Sequence, residues 1–70
     1  MASKSRFITI DTRQYASTEG DVANSQARQR RETDLNAYGA NGYALLSTLV
    51  VPQENGIIII DTLGTTEDGY

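Results

Sequence analysis

The chain has 70 residues and a formal net charge of −3, and it contains neither cysteine nor histidine. A chain of this length forms one domain with a small hydrophobic core. The missing residue types exclude disulfides, thiolate metal sites and histidine-based acid–base chemistry, and we expect neither a metal nor a cofactor. The net negative charge disfavours nucleic-acid binding. Small domains without disulfides or metals often gain stability from a partner subunit, so we expect a homo-oligomer.

The charges are unevenly distributed along the chain. Residues 1–31 contain all six basic residues and three acidic ones, whereas residues 32–70 contain six acidic residues and no basic one. A folded or assembled particle can therefore present faces of opposite sign. The first residues lack the apolar segment of a signal peptide, and the longest apolar run is too short to cross a bilayer. We therefore expect a soluble, cytoplasmic protein without a membrane partner.

The first half of the chain predicts one strand followed by one helix. Residues 7–12 are β-branched and alternating, which is typical of a strand. Residues 22–38 contain no proline or glycine and are rich in helix-forming residues. Arg31 interrupts the thin apolar stripe of this helix, so the first half of the helix is expected to bury little surface. Gly39 is expected to end the helix in a left-handed conformation.

The second half predicts a hairpin of two apolar strands. Residues 43–51 and 57–63 are rich in leucine, valine and isoleucine, and Pro52 opens a five-residue turn between them. Pairing across this turn places Val51 opposite Ile57. Both faces of the hairpin are then apolar, and one of them holds Leu46, Val50, Ile58 and Ile60.

These elements predict an α+β fold with β-α-β-β topology in a single domain of residues 1–70, with residues 1–5 and 64–70 flexible. The third strand is the most apolar and is placed in the centre, which gives the strand order 1-3-2. One helix covers one face of the sheet, and the other apolar face requires a different cover. We expect a second copy of the chain to provide it, with Leu46, Val50, Ile58 and Ile60 as the interface.

The junction between the helix and the second strand resembles a known pattern. Here Leu35-Asn36-x-x-Gly39-x-x-Gly42-Tyr43-x-Leu45 is similar to the Leu-Asn-x-x-Gly-x-x-Gly-Trp-Glu-Leu-Val hallmark of a widespread family of very small bacterial and phage proteins, catalogued as a domain of unknown function. Tyr43 and Ala44 stand in place of the tryptophan and the glutamate. The resemblance covers residues 32–63 and implies a β-α-β-β fold and a bacterial or phage source. It implies no activity.

Catalytic residues are scarce in this composition. Without histidine and cysteine, Asp11 and Asp61 are the candidates for a carboxylate pair, and they could meet on one face of the sheet if the first and third strands pair. Two acidic residues near strand ends are more often simply solvated. We therefore expect that the protein is not an enzyme.

The cluster Arg28-Gln29-Arg30-Arg31 is the strongest candidate binding feature. Arginine forms bidentate hydrogen bonds with phosphate. In an oligomer, copies of Arg28, Arg30 and Arg31 would converge on an anionic, nucleotide-like ligand, with Tyr15 or Tyr38 stacking on a base. The alternative is a solvated helix face on which the arginines pair with Glu32 and Asp34.

Two functions follow from these observations. The first is a non-enzymatic homo-oligomeric interaction module, such as a phage accessory protein that binds a host or viral protein in the host cytoplasm. The second is an oligomeric sponge that binds an anionic, nucleotide-like small molecule through the arginine-rich helix face.

Overall fold

The computed structural model describes residues 5–66, which form one helix packed on a three-stranded sheet. The elements in chain order are β1 (Ser5–Tyr15), a 3-10 turn (Thr18–Gly20), α1 (Asp21–Ala40), β2 (Ala44–Gln53) and β3 (Gly56–Thr66). The order in the sheet is β1-β3-β2, and both outer strands are antiparallel to β3. The predicted α+β fold and strand order are therefore confirmed.

The two sides of the sheet differ in burial. Along β1, Ile8 and Ile10 are half-buried and Thr12 is buried, whereas the residues between them are exposed. Ile8, Ile10 and Thr12 lie on the same side of the sheet as their partners on β3. Ile10 pairs with Asp61, and Ile8 pairs with Leu63, which is fully buried. Because Asp61 contacts α1, this is the helix side of the sheet; the opposite side is called the outer face.

The hairpin between β2 and β3 is tighter than predicted. Gln53 pairs with Gly56, so the connecting loop has two residues instead of five. The prediction ended the strand before Pro52, but an edge strand tolerates proline where the missing N–H would face away from the sheet. The predicted register, with Val51 opposite Ile57, is therefore wrong by one residue.

This shift divides the predicted interface residues between the two sides of the sheet. Val50 pairs with Ile59 and thus lies on the helix side, so its placement on the outer face was wrong. A register shift in β2 between Leu45 and Ser47 leaves Leu46 on the outer face, where its Cδ1 lies 2.8 Å from the position of a Cβ added to Gly64. The apolar residues of the outer face are Phe7, Leu46, Leu49, Val51, Ile58 and Ile60.

The helix ends later than predicted. It continues through Gly39 to Ala40, and Gly42 has the left-handed conformation, with φ of 88°. The Tyr43 N–H donates to the Tyr38 carbonyl (3.0 Å) and the Gly42 N–H to the Gly39 carbonyl (3.1 Å), which is the Schellman arrangement. The Tyr38 and Tyr43 rings pack edge to face, with their centroids 5.3 Å apart. The prediction for Gly39 is therefore wrong, and the second glycine of the motif ends the helix.

The strands extend into segments that were predicted to be flexible. β1 begins at Ser5, and β3 continues to Thr66, so Gly64 and Thr65 are strand residues. Gly64 is buried, and a Cβ there would lie 3.0 Å from Phe7 Cδ1. The absence of a side chain lets the outer-face residues close over the central strand. The remaining flexibility predictions, for residues 1–4 and 67–70, lie outside the described residues.

Candidate functional site

Strand β2 is the least covered element of the described chain. Nine of its ten residues are exposed, since α1 lies closer to β1 than to β2. Four large apolar side chains of β2 are about half exposed or more: Leu45 (49%), Leu46 (56%), Leu49 (58%) and Val50 (51%). They lie on both sides of the sheet. Large exposed apolar patches are a feature of interaction sites, so β2 is a candidate contact strand.

The outer face also has apolar side chains on the other two strands. Phe7 of β1 is 65% exposed, and Ile58 and Ile60 of β3 are half-buried between the flanking strands. No helix or strand of residues 5–66 packs against this side. The outer face of these residues therefore has no second layer; it is largely apolar on β2, on β3 and at Phe7, and it carries the exposed Asp11 and Arg13 farther along β1.

The helix side of the sheet contains a buried charge. The Asp61 side chain has no exposed surface. Arg31 donates to both of its carboxylate oxygens, from Nε to Oδ2 (2.7 Å) and from Nη2 to Oδ1 (2.9 Å), and the Thr48 hydroxyl donates to Oδ1 (2.8 Å). The Arg31 hydrogen bond lowers the pKa of Asp61, against the effect of burial, and the Thr48 bond lowers it further. The same pair raises the pKa of Arg31.

This network joins three elements, because Arg31 belongs to α1, Thr48 to β2 and Asp61 to β3. A bidentate guanidinium–carboxylate pair has a narrow range of good geometries, so it fixes the position of the helix relative to the sheet. Both oxygens of Asp61 have partners, as the burial of an ionised carboxylate requires. We interpret the network as a structural device that positions the helix.

The arginines of the helix do not converge on one point within a single chain. Arg31 is held by Asp61 as described, and Arg28 donates from Nη1 to the Gln14 side-chain oxygen (3.3 Å). Arg30 lines a cleft between α1 and β1. Neither of the helix ion pairs expected for Arg28 and Arg30, with Glu32 and Asp34 respectively, forms among residues 5–66.

The cleft between α1 and β1 is lined by three arginines and two aspartates. It has a volume of about 330 Å³, and the small side chains of Ala23 and Ala27 leave room for it beneath the helix. Its polar lining residues are Asp11, Thr12, Arg13, Tyr15, Gln26, Arg30, Arg31 and Asp34. Of the predicted ligand-binding residues it contains Tyr15, Arg30 and Arg31. Arg28 lies outside it, and Tyr38 packs on Tyr43 at the end of the helix instead.

The carboxylate pair considered for acid–base chemistry does not form. Asp61 pairs with Ile10, and Asp11 pairs with Ile60, so the two carboxylates belong to opposite sides of the sheet. The idea that they meet on one face is therefore wrong. Across residues 5–66 there is also no group of three or more acidic residues that could hold a metal ion.

The buried ion pair was missed by the sequence analysis, although the sequence contains a signal for it. Arg31 lies four residues from both Ala27 and Leu35 on the apolar stripe of the helix. Asp61 alternates with Ile59 and Leu63 on one face of the central strand. Each charge interrupts an apolar face, and their signs are opposite. A buried charge requires a partner, so this pattern indicates that the two residues meet.

None of the helices within the described ranges is long and apolar enough to span a bilayer. Comparison of the chain with protein-family models, curated proteins and solved structures found no match. Function is therefore inferred from the geometry of the chain itself.

Proposed function

We propose that this protein is a non-enzymatic interaction module that works as a homo-oligomer, with the outer face as the surface through which copies associate. The observation that carries the proposal is the uncovered outer face, on which Phe7 and Leu49 are 65% and 58% exposed. Burial of apolar area is the main favourable term in association. A second copy offers a surface of the same shape and apolar character, as a two-fold interface requires.

The size of the outer face supports the proposal. The three strands have 11, 10 and 11 residues. With about 4.8 Å between strands and about 3.4 Å per residue, they cover about 14 by 36 Å, or about 500 Å² in projection. The accessible surface of protruding side chains is larger than its projection, which brings the face close to the roughly 800 Å² per partner of a standard interface.

As an interaction module, the oligomer would bind and block, or scaffold, a host or viral protein in the cytoplasm. Apart from Asp61, which is buried and paired with Arg31, positions 32–70 contain five acidic residues and no basic one, which favours a partner with a basic surface. A phage accessory protein fits this description. The absence of histidine and cysteine from the sequence supports a binding role over a catalytic one.

The test is a charge placed on the outer face. Leu49→Lys adds a lysine at a position that is already 58% exposed, so the single chain keeps its fold. Val22→Lys makes the same kind of change on α1, at a residue that is 71% exposed and away from the sheet, and it is the matched control. Sedimentation velocity should show a smaller species for Leu49→Lys and the wild-type species for Val22→Lys. Unchanged assembly of Leu49→Lys would overturn the proposed interface.

A second function, the binding of an anionic, nucleotide-like molecule, is favoured by the cleft between α1 and β1. Arg13, Arg30 and Tyr15 line it together with Asp11 and Asp34, and its volume of about 330 Å³ lies within the range of ligand sites. A ligand that binds the native state raises the melting temperature by mass action. We expect a shift with a nucleotide panel that Arg30→Ala removes and that Arg28→Ala, outside the cleft, retains. No shift with any nucleotide would count against this function.

A further inference from the structure

We infer that β2 pairs, antiparallel, with β2 of a second copy to form a continuous six-stranded sheet. This inference rests on the proposed self-association and adds to it a second contact, made by the edge of the sheet instead of its face. The evidence is independent of the outer face. It comes from the direction of the backbone groups and from the difference between the two edges.

The backbone directions follow from the contacts of Asn24. Its Oδ1 accepts from the Tyr15 N–H (2.6 Å), and its Nδ2 donates to the Tyr15 carbonyl (2.8 Å), so the backbone groups of Tyr15 point away from β3. Tyr15 pairs with Gly56, whose own backbone groups must then point toward β2. Alternation along the antiparallel ladder directs the N–H and C=O groups of Thr48 and Val50 to the free edge of β2.

The two edge strands, β1 and β2, differ in charge and in how their outward backbone groups are occupied. At the β1 edge, the Asn24 side chain occupies the backbone groups of Tyr15, and the charged, exposed Asp11 and Arg13 follow along the strand. Such features block strand addition. β2 has no charged residue in its ten positions, and nine of them are exposed. A long, uncharged and exposed edge strand is a template for pairing with another strand.

A second copy is the occupant that fits this edge best. Across a two-fold axis β2 meets itself, and because it carries no charge the self-pairing brings no like charges together. The pairing gives partners to the outward groups of Thr48 and Val50, and Pro52, which lacks an N–H, limits the ladder at one end. Leu45 and Val50, exposed on the helix side, would then be partly covered by residues of the second copy's β2.

The edge and the outer face together specify a closed assembly. Edge pairing joins two chains side by side, with both helices on the same side of the sheet, and stacking of outer faces joins two such pairs. Two perpendicular two-fold axes give a tetramer with dihedral symmetry. The expected particle has four chains of 7.6 kDa each.

The first test removes one backbone donor. Val50→Pro deletes an N–H that faces the free edge and leaves the bonds between β2 and β3 in place. Val50→Thr keeps the N–H and the β-branched shape, and it is the matched control. By light scattering, we expect four chains for the wild type and Val50→Thr, and two chains for Val50→Pro. A four-chain Val50→Pro particle would overturn the edge contact.

Hydrogen exchange of the wild-type protein provides a second test that needs no variant. Edge pairing should slow exchange of the Val50 amide at least tenfold relative to the amide of the loop residue Glu54. Equal exchange rates in the assembled protein would overturn the edge contact. A two-chain particle that Leu49→Lys dissociates would then leave the proposed function standing. Slow exchange that appears only after a different protein is added would identify that protein, and not a second copy, as the occupant of the edge.

Discussion

Replacement of Asp61 by asparagine probes the contact that fixes α1 on the sheet. The substitution keeps the shape of the side chain but removes the charge that Arg31 and Thr48 contact at 2.7 to 2.9 Å. Removing one partner of a buried ion pair costs about 3–5 kcal/mol, because the other charge loses its compensation. The Arg31 side chain is 30% exposed and can regain water, so we expect the lower end of this range, about 3 kcal/mol.

A loss of this size is a large part of the stability of such a small domain. At about 0.05–0.15 kcal/mol per residue, 70 residues have a total of about 4–10 kcal/mol. Urea unfolding followed by circular dichroism measures the loss. Wild type and variant must be compared at one protein concentration, since association adds to the apparent stability.

The double variant Asp61→Leu with Arg31→Met distinguishes the cost of leaving one charge unpaired from the cost of any substitution at this site. Replacing both charges of a buried pair with apolar residues is often neutral or stabilising. We expect the double variant to be at least about 2 kcal/mol more stable than Asp61→Asn, because it leaves neither charge of the pair without its partner. A loss below 1 kcal/mol for Asp61→Asn, or a double variant no more stable than the single one, would refute this account of the network.

Three further predictions concern the same fold. Because the pKa of Asp61 is lowered in the folded chain, its contribution to stability is complete above the ordinary carboxyl pKa of about 4 and is lost as the pH falls through the folded value. Acid titration of stability should therefore be steeper for wild type than for Asp61→Asn. Gly39→Ala should raise stability by about 0.5–1 kcal/mol, since Gly39 is helical with open space at its Cβ, whereas Gly42→Ala should lower it by about 1–2 kcal/mol because of the positive φ. Urea midpoints of the two variants that move in the same direction would contradict the helix end described above. Thr48→Val should cost about 1.5–3 kcal/mol in the same assay, the range for hydrogen bonds to charged groups, and a neutral result would show that the hydroxyl contributes nothing.

The fold was predictable wherever local pattern decides structure. The alternation around Ile8 and Ile10 and the apolar third strand were enough for the element order and for the central place of β3. Errors arose where tertiary context decides. Pro52 ends many strands but is tolerated at this edge. Gly39 and Gly42 both suit a helix end, and the positive φ and Schellman hydrogen bonds identify Gly42 as the one that ends this helix.

The candidate sites were predictable only in part, since a site depends on register and on long-range contacts. Leu46, Ile58 and Ile60 do lie on the outer face, whereas the one-residue register error misplaced Val50. The Arg31 contact spans 30 residues of sequence, so its signal is a pair of opposite charges on two distant apolar faces and not a local spacing.

The solution mass of the purified wild-type chain tests the central claim most directly. Light scattering on a size-exclusion column should give an integral multiple of 7.6 kDa, with at least two chains in the particle. A particle of 7.6 kDa at all concentrations would contradict the claim, because the exposed apolar residues of the outer face and of β2 would then have no second copy to cover them.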